Sequence, residues 1–373
     1  MIPQRTGSAP LAGPSATPSG GALTRLIRAP RLALAAVGAV VTASGLAAAP
    51  ALAAPATGVT TGTGQVFMVN PVQSSGNENL TDDKDAASAV PASAYAKVAL
   101  RNLDGSGNLS GRWAVIRSST GAPAFSSTGT FAYTRDADQF EQVMAYFWVN
   151  EAQEYLQGLG FGGEFRGAND RPQNVRINQY GADNSFFTDK KDEIRFGKGG
   201  VDDAEDGEVI VHEYGHAVHE SQVPGFGSSE EAGAIGEAWG DYLGVEVGLA
   251  ADARYGWPRL TPEACVGDWD STAYTSTTPH CLRRLDTGKV YGDKVGEVHA
   301  DGEIWSNALW DIRQALGARV ADRIIVNAQF SFAPDTDFSA AAKTTVATAR
   351  TMYGDKAAET VRRAFAARQI PGL

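Results

Sequence analysis

The chain has 373 residues, 43% of them apolar and 20% charged, with 43 acidic against 32 basic side chains. That is enough apolar material for one or two packed cores and excludes a disordered chain. A formal charge of −11, with no Lys/Arg-rich stripe, argues against partnership with nucleic acid or anionic membranes.

Residues 1–53 carry Arg5, Arg25, Arg28 and Arg31 and no acid, then an apolar run from Leu32 to Ala49 and the triplet Ala51-Leu52-Ala53. A basic stretch, an apolar stretch and a small-x-small site predict a secretory signal peptide cut near Ala53. A membrane anchor is the competing reading, but Thr42, Ser44 and two glycines make the run weakly apolar. Without the leader the protein is about 15 units negative. Export also predicts that Cys265 and Cys281, the two cysteines of the chain, form a disulfide.

From residue 60 to about residue 134, "GQVFMVN", "AYAKVAL", "RWAVIRSS" and "GTFAYT" read as short strands separated by Gly, Asn, Asp and Ser. Phe140, Val143, Met144, Phe147 and Leu156 then recur at helical spacing, with a stop at Gly158 and Gly160. "QNVRINQY" and "DEIRFGKG" return to strand. Beyond Gly200 helical patterns dominate: Ala204–Glu220, Gly233–Leu249, His299–Leu316, Ala321–Phe332, Phe338–Met352 and Lys356–Arg368. The expected fold is α+β, with a β-rich N-terminal part (54–203), an α-helical C-terminal part (204–373) and a cleft between them.

"HEYGH" falls in the first of these C-terminal helices. Residues four apart lie about 40° apart around a helix, so His212 and His216 can face one ion. Glu213, about 100° round from His212, is kept off the ion but near a water, as a general base must be. "GAIGEAWGDYLG" places Glu237 and Asp241 four apart, one to reach the ion and the other to accept a hydrogen bond from a ligand histidine. Gly233, Ala234, Gly236, Ala238 and Gly240 allow that helix to come close. Two His and one Glu with an open position suit hydrolytic zinc, whereas structural zinc more often has a closed, cysteine-containing shell. His299 opens a later helix from which an imidazole can reach a developing oxyanion. His219 reads as an ordinary polar helix residue, and His280 as a loop histidine.

These three segments, "HEYGH", "GAIGEAWGD" and "EVHADGEIWSNALWDIR", resemble the zinc metallopeptidases of the fungalysin family and, more distantly, thermolysin. The resemblance runs from about Gly64 to the C-terminus and includes "GQVFMVNP", "DNSFF" and "AFAARQI". It implies a thermolysin-like fold, with His212, His216 and Glu237 on zinc, Glu213 activating water, Asp241 orienting a ligand histidine and His299 holding the oxyanion. It further implies that Asn184 and Ser185 sit on an edge strand that pairs with an extended peptide, and that Arg283 bonds a substrate carbonyl, with Arg284 as the neighbouring alternative. The tyrosine that helps hold the oxyanion in thermolysin has no counterpart from Ala217 to Gly236, leaving Tyr291 as a candidate. Calcium sites are common in thermolysin relatives, and the acids Asp202, Asp203, Glu205, Asp206 and Glu208 could hold one; a solvated acidic helix start is the alternative.

The expectation is therefore a secreted zinc endopeptidase acting on protein or peptide substrates. A zinc aminopeptidase would need an acidic site for the substrate amine, and no second motif before the helix supplies one. A metzincin would need histidine at position 222, which is Gln222. The rival from another class is a non-enzymatic, zinc-stabilised secreted module, which would need neither Glu213 nor His299.

Overall fold

The computed structural model describes residue 58, residues 60–117 and residues 122–373, so the expected leader lies outside the described residues. Those residues fall within one compact unit, a mixed α+β body with its strands gathered in the N-terminal half.

Strand β1 (Gly62–Phe67) leads into the short helix α1 (Pro71–Ser75), then β2 (Tyr95–Leu100), β3 (Ala114–Ile116) and β4 (Thr130–Phe131). Helix α2 (Asp138–Leu159) follows, and then β5 (Gln173–Arg176), β6 (Ser185–Thr188) and β7 (Glu193–Phe196). The rest is helical apart from one small antiparallel pair: α3 (Gly207–Gln222), α4 (Glu230–Tyr255), β8 (Cys265–Val266) with β9 (Arg283–Arg284), α5 (Val298–Leu316), α6 (Ala318–Gln329) and α7 (Phe338–Ala367). Gly354, at φ 81°, breaks α7 between the two helical segments expected there.

One sheet has the order β2-β1-β4 and the other β3-β5-β7-β6. In the second, β3, β5 and β7 run parallel and β6 lies antiparallel at the edge. Several strands are shorter than their sequence patterns. "GTFAYT" contributes only two residues and "RWAVIRSS" three, because the intervening chain pairs through isolated bridges such as Leu103 with Gly111 and Asn108 with Phe125.

Helix α2 is buried along most of its length. It packs on β1 and β3 and also on α3 and α4, so it joins the strand-rich and helical parts into one core. Phe140, Met144, Phe147 and Trp148 supply the large apolar surfaces, and a side chain of that size contributes roughly 1.5–3 kcal/mol when fully buried.

The acids before α3 do not gather around one ion. Asp206 caps α3 by accepting from the Glu208 N–H at 2.9 Å. Its second oxygen accepts from Asn70 Nδ2 (3.0 Å) and from the backbone of Trp269 and Asp270. Glu208 accepts from Arg259 and from the Gly267 N–H. Glu205 is held by the buried Arg135 guanidinium and by the Trp269 indole. Of the five acids that could hold a calcium ion, Glu205, Asp206 and Glu208 are thus taken up by separate protein partners. The same bonds fix the start of α3 against the end of β1, where Gly207 N–H donates to the Val69 carbonyl at 2.9 Å.

Cys265 and Cys281 form the expected disulfide. It closes the loop that returns the chain from β8 to β9, and β9 carries Arg283. Replacing both cysteines by serine is expected to lower the unfolding free energy by about 3 kcal/mol, the chain-entropy value for a loop of this size. Denaturant titration of the variant against the parent protein measures the difference.

Candidate metal centre

Helices α3 and α4 form an extensive interhelical contact, and its closest points are at glycines. A Cβ on Gly215 would stand 3.0 Å from the Gly240 Cα, and one on Gly240 would stand 2.6 Å from His212 Nδ1. The Trp239 indole donates across the interface to the Gly215 carbonyl at 3.1 Å. Gly236 has more room, since its Cβ would meet His216 only at 3.7 Å. Of the small residues expected to permit the approach, Gly240 is the one against which the His212 ring lies.

That approach brings three donor groups together. His212 Nε2 and His216 Nε2 are 3.2 Å apart; Glu237 places one oxygen 3.1 Å from His212 Nε2 and the other 3.5 Å from His216 Nε2. Donors bound tetrahedrally at 2.0–2.1 Å from one zinc ion are separated by about 3.3 Å, so the triangle fits such an ion. Lone pairs this close repel unless a cation lies between them. Burial opposes charge on His212, yet hydrogen bonds to Asp241 and Glu237 raise its pKa to about 10, while burial lowers His216 to about 4. Burial likewise opposes charge on Glu237, but His216, His212 and Arg283 hold it well below the usual carboxylate range. The site is built to receive positive charge.

His212 Nδ1 donates to Asp241 Oδ1 at 2.9 Å, which directs Nε2 toward the donor triangle. Asp241 is fully buried and is gripped by Arg283 through two bonds of 2.6 and 2.7 Å. Arg284 instead pairs with Asp286. Arg283 is therefore the arginine that faces the site, reaching it through Asp241 and along the cavity wall.

Glu213 is 6% exposed, and its Oε2 has no hydrogen-bond partner. Burial raises its pKa to about 7. His299 approaches from α5, with Nε2 3.3 Å from Glu237 Oε2, while its Nδ1 bonds Glu297 at 2.6 Å. Glu297 also caps α5 by accepting from the His299 and Ala300 N–H groups.

His212, Glu213, His216, Glu237, Arg283 and His299 line a cavity of about 880 Å³. Asn184, Ser185 and Phe186 form part of its opposite wall, with Ser185 and Phe186 on the free edge of β6.

Two sequence expectations change. His219, read as an ordinary polar helix residue, is 2% exposed; it lies between Phe226 (ring centroids 4.2 Å apart) and Trp239, and neither ring nitrogen has a partner among the described residues. The turn after α3 and the face of α4 cover it, and it lines the cavity. Tyr291 does not reach the site, because its hydroxyl donates to Glu231 at 2.8 Å. His280 is structural, bonded to Glu78 through its ring and backbone. Sequence reasoning missed Glu297, for which an N-cap glutamate gives no signal, and the Arg283–Asp241 pair.

Residues 225–370 match the model of the thermolysin metallopeptidase alpha-helical domain. Most of the helical half is thus similar to the alpha-helical domain of the thermolysin metallopeptidases. The match begins after His216 and includes Glu237, Asp241, Arg283 and His299. Relatives named extracellular metalloproteinase, from Aspergillus flavus (25% identical) and Trichophyton tonsurans (27%), align over 28% of this chain. The chain spans only 17% of their length. A gelatinase of Enterococcus faecalis is 27% identical over 49% of this chain and 37% of its own. A solved precursor of protealysin, a metalloproteinase of Serratia proteamaculans, has a TM-score of 0.47 at 21% identity, covering 61% of this chain and 77% of that one.

The two glycines of α4 give a differential test. Gly240→Ala should push the His212 ring aside and reduce zinc retained after dialysis, while Gly236→Ala should keep it. Helix propensity favours alanine by about 1 kcal/mol at both positions, so a propensity effect cannot produce the difference. Metal content and thermal unfolding of both variants read the outcome.

Proposed function

We propose that this protein is a secreted, zinc-dependent endopeptidase. The observation that carries the reading is the convergence of His212, His216 and Glu237 on one cavity, with the buried Glu213 carboxylate, one oxygen of it unpaired, beside them. Zinc fits this donor set, and when bound it supplies a Lewis acid that acidifies water and polarises a peptide carbonyl.

The chain's own groups account for the rest. Glu213 accepts the proton of the attacking water, and the proton passes through the same carboxylate to the leaving nitrogen. Asp241, fixed by Arg283, keeps His212 in the tautomer whose Nε2 lone pair faces the metal. His299 stabilises negative charge on the substrate oxygen; with Nδ1–H given to Glu297, the ring offers an Nε2–H to the cleft when it carries both protons. The free edge of β6 from Ser185, with Asn184 just before the strand, suits an extended peptide added as a further strand.

Export is supported by the leader's pattern and by the relatives named extracellular, and no helix among the described residues is long and apolar enough to cross a membrane. A non-enzymatic module would leave the buried Glu213 carboxylate without use.

Glu213→Gln should retain zinc and lose roughly 10²–10⁴-fold in activity. A variant with full activity on casein would refute the mechanism. A chelator should stop casein cleavage while circular dichroism still reports a folded chain; unfolding as the sole response would favour the module.

The pH profile supplies a second check. Glu213 must be ionised to act, so kcat/KM should rise with pH through its pKa. Burial sets that value to about 7 without metal, and a bound cation favours the carboxylate and moves the rise below 7. His299→Ala should lower kcat by about 10²–10³-fold with zinc content unchanged.

A further inference from the structure

A second group of carboxylates lies on the wall of the same cavity, on three segments remote in sequence. Asp183 precedes β6, Asp203 belongs to the 3₁₀ turn before α3, and Asp270 lies in the turn after β8. One oxygen from each falls within 4.8 Å of the others. Asp203 is 2% exposed and Asp270 4%, whereas Asp183 is open to the cleft.

Each buried member has one oxygen satisfied and one not. Ser185 donates to Asp203 Oδ2, and the Tyr274 hydroxyl donates to Asp270 Oδ2 at 2.7 Å. Asp203 Oδ1 and Asp270 Oδ1 are buried without any partner. Burial, with the charge of neighbouring carboxylates added, Asp183 among them in both cases, raises the pKa of Asp203 to about 8 and that of Asp270 well above the usual range. The neighbouring acids contrast with this: Glu205 has Arg135 and Glu208 has Arg259. No Lys or Arg forms an ion pair with Asp183, Asp203 or Asp270 among the described residues. The chain also keeps space for the exposed member, since a Cβ on Gly200 would stand 2.2 Å from the Asp183 carboxylate.

We propose that Asp183, Asp203 and Asp270 form a binding site for a hard divalent cation of the calcium type. Oxygen-only donors select a hard ion over zinc. Ligands 2.3–2.6 Å from one calcium lie at most about 5 Å apart, which the 4.8 Å spread meets. A lysine or arginine of a substrate is the other cation a cleft could receive. It does not suit these oxygens, because a hydrogen-bonding nitrogen needs about 2.8 Å and a path for its chain, while both unpaired oxygens are closed to solvent. A bound ion would tie the base of the β6 edge to the turns before α3 and after β8. The site is independent of the peptidase reading.

The test is calcium titration of the full, zinc-loaded chain by calorimetry and thermal unfolding. Glu213→Gln serves as background, so that self-digestion plays no part and binding is read whether or not the protein is a peptidase. The expected result is one calcium per chain, a dissociation constant of about 10⁻⁵–10⁻³ M, and a rise in Tm. Asp203→Asn and Asp270→Asn should each weaken binding by about tenfold or more, because the charge of the ligand set governs affinity. Should the buried variants fail to fold, Asp183→Asn at the exposed position and terbium luminescence sensitised by Tyr274 in the parent chain make the same measurement. No saturable binding up to about 10 mM calcium, terbium emission that calcium does not displace, or binding that all three variants leave unchanged would overturn the proposal.

Discussion

The close approach of α3 to α4 across Gly215 and Gly240 is the constraint on which the metal centre depends. Helix axes normally stand 8–10 Å apart according to the side chains at the contact, and here the contact has no side chain at its closest points. His212 occupies the volume that a Cβ on Gly240 would need. Its distance to the Glu237 carboxylate is therefore fixed by backbone packing rather than by the reach of flexible side chains. A donor triangle of 3.1–3.5 Å follows from that geometry. The buried Arg283–Asp241 pair adds the second restraint by fixing the rotation of one ring.

Charge burial organises the surroundings of this contact. The start of α3 carries several carboxylates in an interior that disfavours them, and for three of these the structure provides a compensating partner. Glu205 meets Arg135, Glu208 meets Arg259, and Asp206 receives several N–H donors. These bonds also attach α3 to the end of β1 and to the segment after β8. The framework that holds the two histidines is thus built partly from ion pairs whose loss would leave buried charge uncompensated, a change that typically costs about 3–5 kcal/mol. Asp203 and Asp270 do not follow this pattern, and for that reason they stand out.

The cleft divides its roles between the two parts of the chain. The helical part supplies the candidate metal donors, Glu213 and His299. The strand-rich part supplies a free strand edge on the other, held by β7 and ultimately by the buried α2. Backbone N–H and C=O groups on such an edge suit recognition of an extended chain, while the helices suit convergent side chains. The family match covers the helical part from residue 225 onward and so leaves out α3 with its two histidines.

The sequence by itself determined the helices of the C-terminal half, the position of "HEYGH" on one of them, and a candidate set of three donors, because helical periodicity and i, i+4 spacing are local properties. It also pointed to the disulfide, since two cysteines leave one pairing within the chain. Strand lengths were less legible, because pairing depends on a partner elsewhere in the chain; "GTFAYT" alternates well yet contributes only two paired residues. Tertiary structure alone decided the groupings that join remote segments: Arg283 with Asp241, His219 beneath Phe226, Tyr291 away from the site, and Asp183 with Asp203 and Asp270. Nothing in the local pattern of a carboxylate says whether an arginine, a backbone N–H or another carboxylate will face it. That depends on which elements pack together, and here on the absence of a side chain at Gly215 and Gly240.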